Sequence, residues 1–217
     1  PLDQFGEEKS PSHVKDILNW FFTEFFILVG DPKCRHCGSS TVYSGNQPPT
    51  RSELNDGVHH VERFRCISCD AINRIKRSRS LKYLINTRSG RSDEAALLFA
   101  AILNVFEYKT RIFSNIEEDH AWVEYYSDTR GAYIHVDPSE NVYDRPLVYE
   151  RDWEQIITWV VAVGVNECVD VTGRYTRMAD LIEASRTEYT EINAKYSQFV
   201  TLRHKMWISG ISEKLRK

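Results

Sequence analysis

Three groups of residues in this chain have the types and spacing that do chemistry. The first is a pair of CxxC motifs, Cys34-Arg-His-Cys37 and Cys66-Ile-Ser-Cys69, separated by residues 38–65. Two such knuckles supply four thiolates, a set that suits tetrahedral Zn²⁺ and leaves no open position, so the site they predict is structural. The gap is longer than in common zinc ribbons, and an inserted hairpin would fill it. The second group is His120 and Asp137, on two stretches of strict alternation: His120, Trp122, Glu124 and Tyr126, then Tyr133, His135 and Asp137. Alternation is the period of a half-buried strand, and Ser127–Gly131 has turn composition. A register pairing Tyr126 with Gly131 puts His120 opposite Asp137, with Cβ atoms about 5 Å apart. Imidazole and carboxylate would then form the base-and-orienter half of a catalytic triad. A slip of one residue would separate them. The third is Ser92, the expected N-cap of a helix over Asp93–Phe106. The same place favours a nucleophile, because a helix N-terminus stabilises developing negative charge.

The elements that must position these groups follow from the rest of the chain. The 217 residues suffice for one large domain, or a domain with a small accessory module, and 41% apolar content supports a packed core. The net charge of −3 implies no general affinity for polyanions. No apolar run reaches the roughly 18 residues of a membrane span. Four of the five cysteines sit in the CxxC pairs, which points to metal and a reducing compartment rather than a disulfide scaffold; Cys168 reads as a buried structural thiol. Pro1 stands where a start methionine would, which reads as a fragment, and no signal peptide is visible. Ser10-Pro11 predicts a helix start, with Val14, Ile17, Leu18, Phe21, Phe25 and Leu28 as an apolar stripe that Phe22 and Phe26 widen and Gly30-Asp31-Pro32 ends. Residues 44–56 read as a loop, Val58–Cys66 and Lys109–Ser114 as strands, Arg74–Arg79 as a solvated basic face, and Met178–Lys217 as helical. Trp153–Val165 is an apolar segment and Cys168–Val171 a strand.

Taken in order, the aromatic helix, the two knuckles, Gly90-Arg91 before a helix, Asp119-His-Ala-Trp-Val-Glu124, His135-Val-Asp-Pro-Ser-Glu140 and Val169-Asp-Val-Thr-Gly-Arg-Tyr175 resemble the cytoplasmic peptide:N-glycanases of the transglutaminase-like superfamily. The resemblance runs from about Val14 to Tyr175. It implies an α+β fold: a transglutaminase-like (papain-like) core with a zinc-binding subdomain and flanking helices. The expected divisions are 1–30 for the N-terminal helix, 31–80 for the zinc subdomain, 81–176 for the core and 177–217 for a C-terminal helical segment. The family hydrolyses the amide joining Asn to the first N-acetylglucosamine of N-glycans on misfolded glycoproteins, through a Cys-His-Asp triad. His120 and Asp137 match two triad positions. Trp122, Glu124 and Glu140 match residues lining the glycan-binding cleft, and Cys34, Cys37, Cys66 and Cys69 match the ligands of a structural Zn²⁺.

At the helix start the family carries Arg-Cys-Gly-Glu-Trp, whereas this chain has Arg91-Ser92-Asp93-Glu94-Ala95. Ser92 therefore stands at the nucleophile position. A thiol can be held as a thiolate, but a serine hydroxyl needs a base poised during attack. The expected protein is a homologue with impaired catalysis that binds N-glycosylated misfolded proteins or acts as a scaffold. The alternative is an amidase working through Ser92, His120 and Asp137. A further alternative is the inactive transglutaminase-like domain of a DNA-damage recognition protein, hinted at by Arg74–Arg79 but opposed by the intact knuckles and the net charge. The resemblance also implies a ubiquitin-receptor shuttle protein of the proteasome as partner, docked on the N-terminal helix or the C-terminal tail. It implies a cytoplasmic location that extends to the nucleus, while the short apolar runs and the net charge imply neither membrane nor nucleic acid as a partner.

Overall fold

The computed structural model describes residues 2–5, 10–115, 120–164 and 168–188. They fall into two compact units, Pro1–Glu107 with Pro138–Asn141, and Tyr108–Asp137 with Val142–Lys217.

The first unit opens with α1 (Pro11–Trp20). Ser10 Oγ accepts the His13 N–H at 3.1 Å and Pro11 fills the first turn, as the sequence predicts. The helix does not continue to Gly30. It widens into one π-type segment, Phe21–Phe25, and leaves as the short strand β1 (Ile27–Leu28). Aromatics at 20, 21, 22, 25 and 26 cannot all share one helical stripe. The wider turn lets Trp20 stack on Phe25 (4.5 Å between centroids) and Phe21 on Phe26 (5.1 Å), while Phe22 stays 40% exposed. Leu28, expected in the stripe, is exposed.

Next come β2 (Thr41–Gln47), α2 (Arg51–Asn55), β3 (Val58–Cys66) and β4 (Ile72–Ser78), an antiparallel sheet in the order β2-β3-β4. The expected loop over 44–56 is thus partly strand and partly helix. Thr50 N–H donates to Glu53 Oε2 at 2.8 Å, and Glu53 N–H to Thr50 Oγ1 at 3.3 Å. This Thr-x-x-Glu capping box outweighs the Gly and Pro around it. Then follow α3 (Leu81–Thr87), β5 (Ser89–Gly90), parallel to β1, and α4 (Ser92–Val105), whose Phe99 meets Phe21 edge-on at 5.2 Å. Both rings are fully buried, and each such burial contributes about 1.5–3 kcal/mol.

The second unit is built on a six-stranded antiparallel sheet. Its elements in chain order are β6 (Thr110–Asn115), β7 (His120–Ser127), β8 (Ala132–Asp137), β9 (Val142–Tyr143), α5 (Val148–Arg151), β10 (Val160–Gly164), β11 (Cys168–Asp170) and α6 (Ala179–Glu188). The sheet order is β11-β10-β6-β7-β8-β9. Lying inside it, β7 and β8 are buried along most of both faces, so their alternation does not mark a half-buried strand. One core of the unit packs Phe113, Trp122, Tyr149, Ile157, Val160 and Tyr175. The apolar segment Trp153–Val165 yields a strand only from Val160. Within α6, Ile182 is buried and Leu181 exposed; the rest of the expected stripe, from Tyr189 on, lies outside the described residues, as do Asp119 and the side chain of Cys168. Among the described residues no helix is long and apolar enough to cross a membrane.

Candidate active site and metal centre

The hairpin that carries the candidate base closes differently from expectation. Its loop is Asp128–Gly131, and Ser127 pairs with Ala132, Glu124 with His135 and Val123 with Val136. The register is shifted by two residues from one that pairs His120 with Asp137. A shift of two keeps every side chain on its face, so His120 lies diagonally across from Asp137, within reach of a long side chain. Nε2 of His120 is 2.7 Å from Asp137 Oδ2.

The same carboxylate oxygen accepts the Tyr149 hydroxyl at 2.8 Å. Tyr149 has spent its only proton there, so His135, whose Nε2 is 2.8 Å from the Tyr149 oxygen, must be the donor of that bond. Nδ1 of His135 accepts the Arg145 N–H at 3.4 Å. His135 is therefore a neutral imidazole, fully buried, and burial lowers its pKa to about 4. A chain His135–Tyr149–Asp137–His120 results, with all donors assigned. It fixes Asp137 from behind and leaves His120 with Nε2 as donor and Nδ1 as the basic nitrogen. Trp122, Tyr149 and Trp153 enclose the His120 ring at centroid distances of 5.8, 5.4 and 5.0 Å. The sequence reading missed Tyr149 and His135. The His-x-Asp spacing of residues 135 and 137, on one face of a strand, was the available clue.

This network has a pH signature. An unfolded His135 would protonate below pH about 6.5, whereas the folded residue resists until about pH 4. The unfolded state thus binds the extra proton between those limits. Stability attributable to His135 is full above pH 6.5 and declines as the pH falls toward 4, in all by on the order of 3 kcal/mol. Urea unfolding of the protein and of His135→Gln at pH 7.0 and 4.5 should show a steeper loss in the parent. Parallel losses would refute the neutral assignment.

Trp122 and Glu124 are both fully buried. Trp122 stacks on Tyr149 at 4.4 Å and on Phe113 at 5.8 Å. Glu124 accepts from Arg111 at 2.5 Å, from Arg174 at 2.7 Å and from the Tyr175 hydroxyl at 2.8 Å. Neither offers a surface to a sugar. Their positions tie β6, β7 and the Thr172–Tyr175 turn together, so any part they have in a cleft is positional. Glu140 is exposed.

In the first unit, Ser92 is the first residue of α4 rather than its cap. Arg91 is the N-cap residue, extended in backbone, and Ser92 is half-buried. The cap function has passed to Glu94, which accepts the Arg91 N–H at 2.9 Å and the Ser78 N–H at 2.7 Å. Gly90 is required here, because a Cβ would lie 2.7 Å from that of Glu94. The expected basic face Arg74–Arg79 is broken up. Arg77 is only 4% exposed and bonds Glu62, Asp93 and Glu94. Burial alone would lower the pKa of Arg77, but the surrounding carboxylates, Asp93 foremost, raise it. Burial likewise raises the carboxyl of Glu94, against the pull of Arg77. Arg91 adds a 3.0 Å bond to Glu62. One ionic cluster thus joins β3 and β4 to the first turn of α4.

The four sulfurs of Cys34, Cys37, Cys66 and Cys69 all lie within 4.8 Å of one another. The separations Cys34–Cys69 and Cys37–Cys66 are 3.7 and 3.4 Å. Four sulfurs about 2.3 Å from a tetrahedral ion would stand about 3.8 Å apart, so the set fits one metal ion. Each knuckle aims a backbone N–H at its first sulfur, His36 to Cys34 and Ser68 to Cys66, both at 3.4 Å. Such N–H groups, led by that of Cys37, lower the Cys34 thiol to about 6 and favour the ligating thiolate. Chelation, or Cys66→Ala, is expected to lower the thermal midpoint of the metal-loaded protein by more than 10 °C, as a large share of an apparent metal affinity of about 10–16 kcal/mol is lost. Differential scanning fluorimetry would read it, and an unchanged midpoint would refute a structural metal.

Comparison with known proteins adds three findings. Residues 88–215 match the family profile of the Rad4 transglutaminase-like domain. The peptide-N(4)-(N-acetyl-beta-glucosaminyl)asparagine amidase of Arabidopsis thaliana is 35% identical over 185 residues, 85% of this chain and 25% of that protein; that of Saccharomyces cerevisiae is 34% identical over 195 residues, 88% of this chain and 53% of that protein. The chain thus spans a quarter to a half of the length of these relatives. A crystal structure of Rad4–Rad23 bound to a 6-4 photoproduct UV lesion superposes with a TM-score of 0.52 at 15% identity, covering 87% of this chain and 41% of that one, a likeness of fold.

Proposed function

Because the chain belongs to the family of the Rad4 transglutaminase-like domain and is related over most of its length to the peptide:N-glycanases, we propose that it is a glycanase homologue that engages N-glycosylated misfolded proteins and turns them over poorly, if at all. The observation that carries this reading is an oriented base without a thiol to serve. His120 is held by Asp137 and Tyr149, while position 92 offers a hydroxyl. The assignment of Ser92, His120 and Asp137 to one triad rests on the resemblance. A drifted, unused site would not be expected to keep a fully bonded chain through a buried carboxylate. In this reading Glu140 supplies surface contact with the glycan, and Trp122 and Glu124 hold their own strands in place.

The metal is zinc, with a structural part only; elemental analysis should find one per chain. The protein works in the cytoplasm, where reduced thiols keep such a site loaded. A proteasomal shuttle protein docks on the N-terminal helix or the C-terminal tail, and calorimetry with its helical domain would detect the complex.

Binding is the test. A denatured N-glycoprotein should bind the protein at least 10-fold more tightly than the same polypeptide freed of its glycans. Equal affinities would overturn glycan recognition and leave a scaffold. A second reading, a working amidase, draws on the same oriented His120, and the turnover assay that closes the Discussion separates the two.

A further inference from the structure

In the sheet β2-β3-β4, β4 pairs with β3 on one side and, among the described residues, with no strand on the other. Along that open edge runs a groove of about 530 Å³, lined by every residue from Ala71 to Lys76 and faced by Val29, Ser89 and Gly90. Consecutive residues of a strand point to opposite faces. A cavity touched by both sets therefore lies along the strand's edge rather than on one face.

The edge is chemically ready for another strand. Ser78 N–H already points away from β3 and is taken by Glu94. Ile72, Arg74 and Lys76 share its parity in the ladder, so their backbone groups face outward along the groove. Edge strands that present such groups are templates for extended peptides. The side chains specify what kind. Arg35, Arg74 and Lys76 line the groove. Arg74 and Lys76 share one carboxylate, Glu53, at 2.9 and 3.6 Å, while Arg35 is exposed. Three cations against one carboxylate leave the wall positive. Asn73 adds a neutral donor. It is 4% exposed, its Oδ1 accepts the Arg35 N–H at 2.9 Å, and its Nδ2 has no partner among the described residues. A buried amide donor left unsatisfied is unfavourable, and an incoming oxygen would relieve it.

We propose that this groove docks an extended acidic segment of a partner protein, added to the sheet as a fourth strand beside β4. Alternate carboxylates meet Arg35, Arg74 and Lys76, and an oxygen of the segment accepts from Asn73 Nδ2. The strand Ile72–Lys76 offers room for about five residues at roughly 3.3 Å each. Between the charges, Val29 and the 41% exposed Ile72 give apolar contact to the intervening side chains. This goes beyond the reading of Ser92 and does not depend on it.

The test uses the metal-loaded full chain, because Arg35 and His36 sit in the first CxxC turn. The probe is a fluorescein-labelled hexapeptide of alternating Glu and Val. Its Lys/Val counterpart and a single-stranded oligonucleotide serve as controls. Saturable binding of the acidic peptide is expected, with amide shifts in NMR spectra concentrated at residues 71–76. Arg35→Glu, an exposed position, should weaken binding at least 10-fold at an unchanged thermal midpoint. Ile72→Pro, which removes one outward N–H, should do the same without changing charge. No binding, equal binding of the Lys/Val peptide, or shifts away from residues 71–76 would overturn the proposal. Tighter binding of the oligonucleotide at the same residues would assign the groove to a polyanion and equally overturn it.

Discussion

Arg77→Met is expected to destabilise the protein by about 3–5 kcal/mol, the largest single effect among the ionic groups of the first unit. Arg77 is almost wholly buried and is the shared partner of Glu62, Asp93 and Glu94. Methionine fills similar volume but leaves those carboxylates facing one another, with the Arg91 guanidinium still bonded to Glu62 and the Ser78 and Arg91 N–H groups still bonded to Glu94. Removing one member of a buried pair is far more damaging than the pair's own net worth, because the remaining charge stays desolvated. Against a total stability of about 5–15 kcal/mol, the loss is severe. Arg77→Lys should fall between, since an ammonium is a point charge and cannot serve several carboxylates through a planar fork. Urea unfolding of the metal-loaded protein would measure all three forms. A loss below about 1 kcal/mol for Arg77→Met would mean that the cluster is solvated and does not hold β3 and β4 to α4.

The second large effect is a gain. Ser92→Cys should raise glycan release by about 10²-fold or more, well below the roughly 10⁴–10⁶ that a triad member contributes elsewhere. A thiol at the first residue of a 14-residue helix gains from the helix N-terminus, which favours the thiolate. Asp93 limits the gain. Glu94 is turned inward onto Ser78, Arg91 and Arg77, but Asp93 keeps a partly exposed carboxylate beside position 92, where the resemblance has glycine. Without it, Glu62 and Glu94 would balance Arg77 and Arg91. Ser92→Cys/Asp93→Gly should therefore alkylate with iodoacetamide at lower pH than Ser92→Cys. Identical pH profiles, with the parent's own cysteines subtracted, would remove Asp93 from the account.

The sequence made some of this legible and hid the rest for physical reasons. The four-cysteine cluster, a candidate metal centre, was readable because four thiols in two short turns have few other uses, and the folded chain brings all four sulfurs together. The start of α1 was readable because Ser-Pro is a local signal, and the capping bond forms within three residues. The pairing of His120 with Asp137 was readable only to within its face. Strand period fixes parity, whereas register is set by which loop residues turn, and Asp128–Gly131 closes the hairpin where Ser127 was expected to take part. Burial of Trp122 and Glu124 was hidden, because alternation cannot distinguish one covered face from two, and β7 lies inside a six-stranded sheet. The fate of Arg77 was hidden as well. A run of basic residues looks solvated until the carboxylates that meet it, Glu62 upstream and Asp93 and Glu94 downstream, are brought to it by the fold.

The most direct test of the central claim, an oriented base without a competent nucleophile, is release of N-glycan from a denatured glycoprotein by the protein as it stands and by Ser92→Cys. The account predicts no release above background from the parent and measurable release from the cysteine form. Release by the parent that disappears in Ser92→Ala would contradict it and establish a working serine amidase.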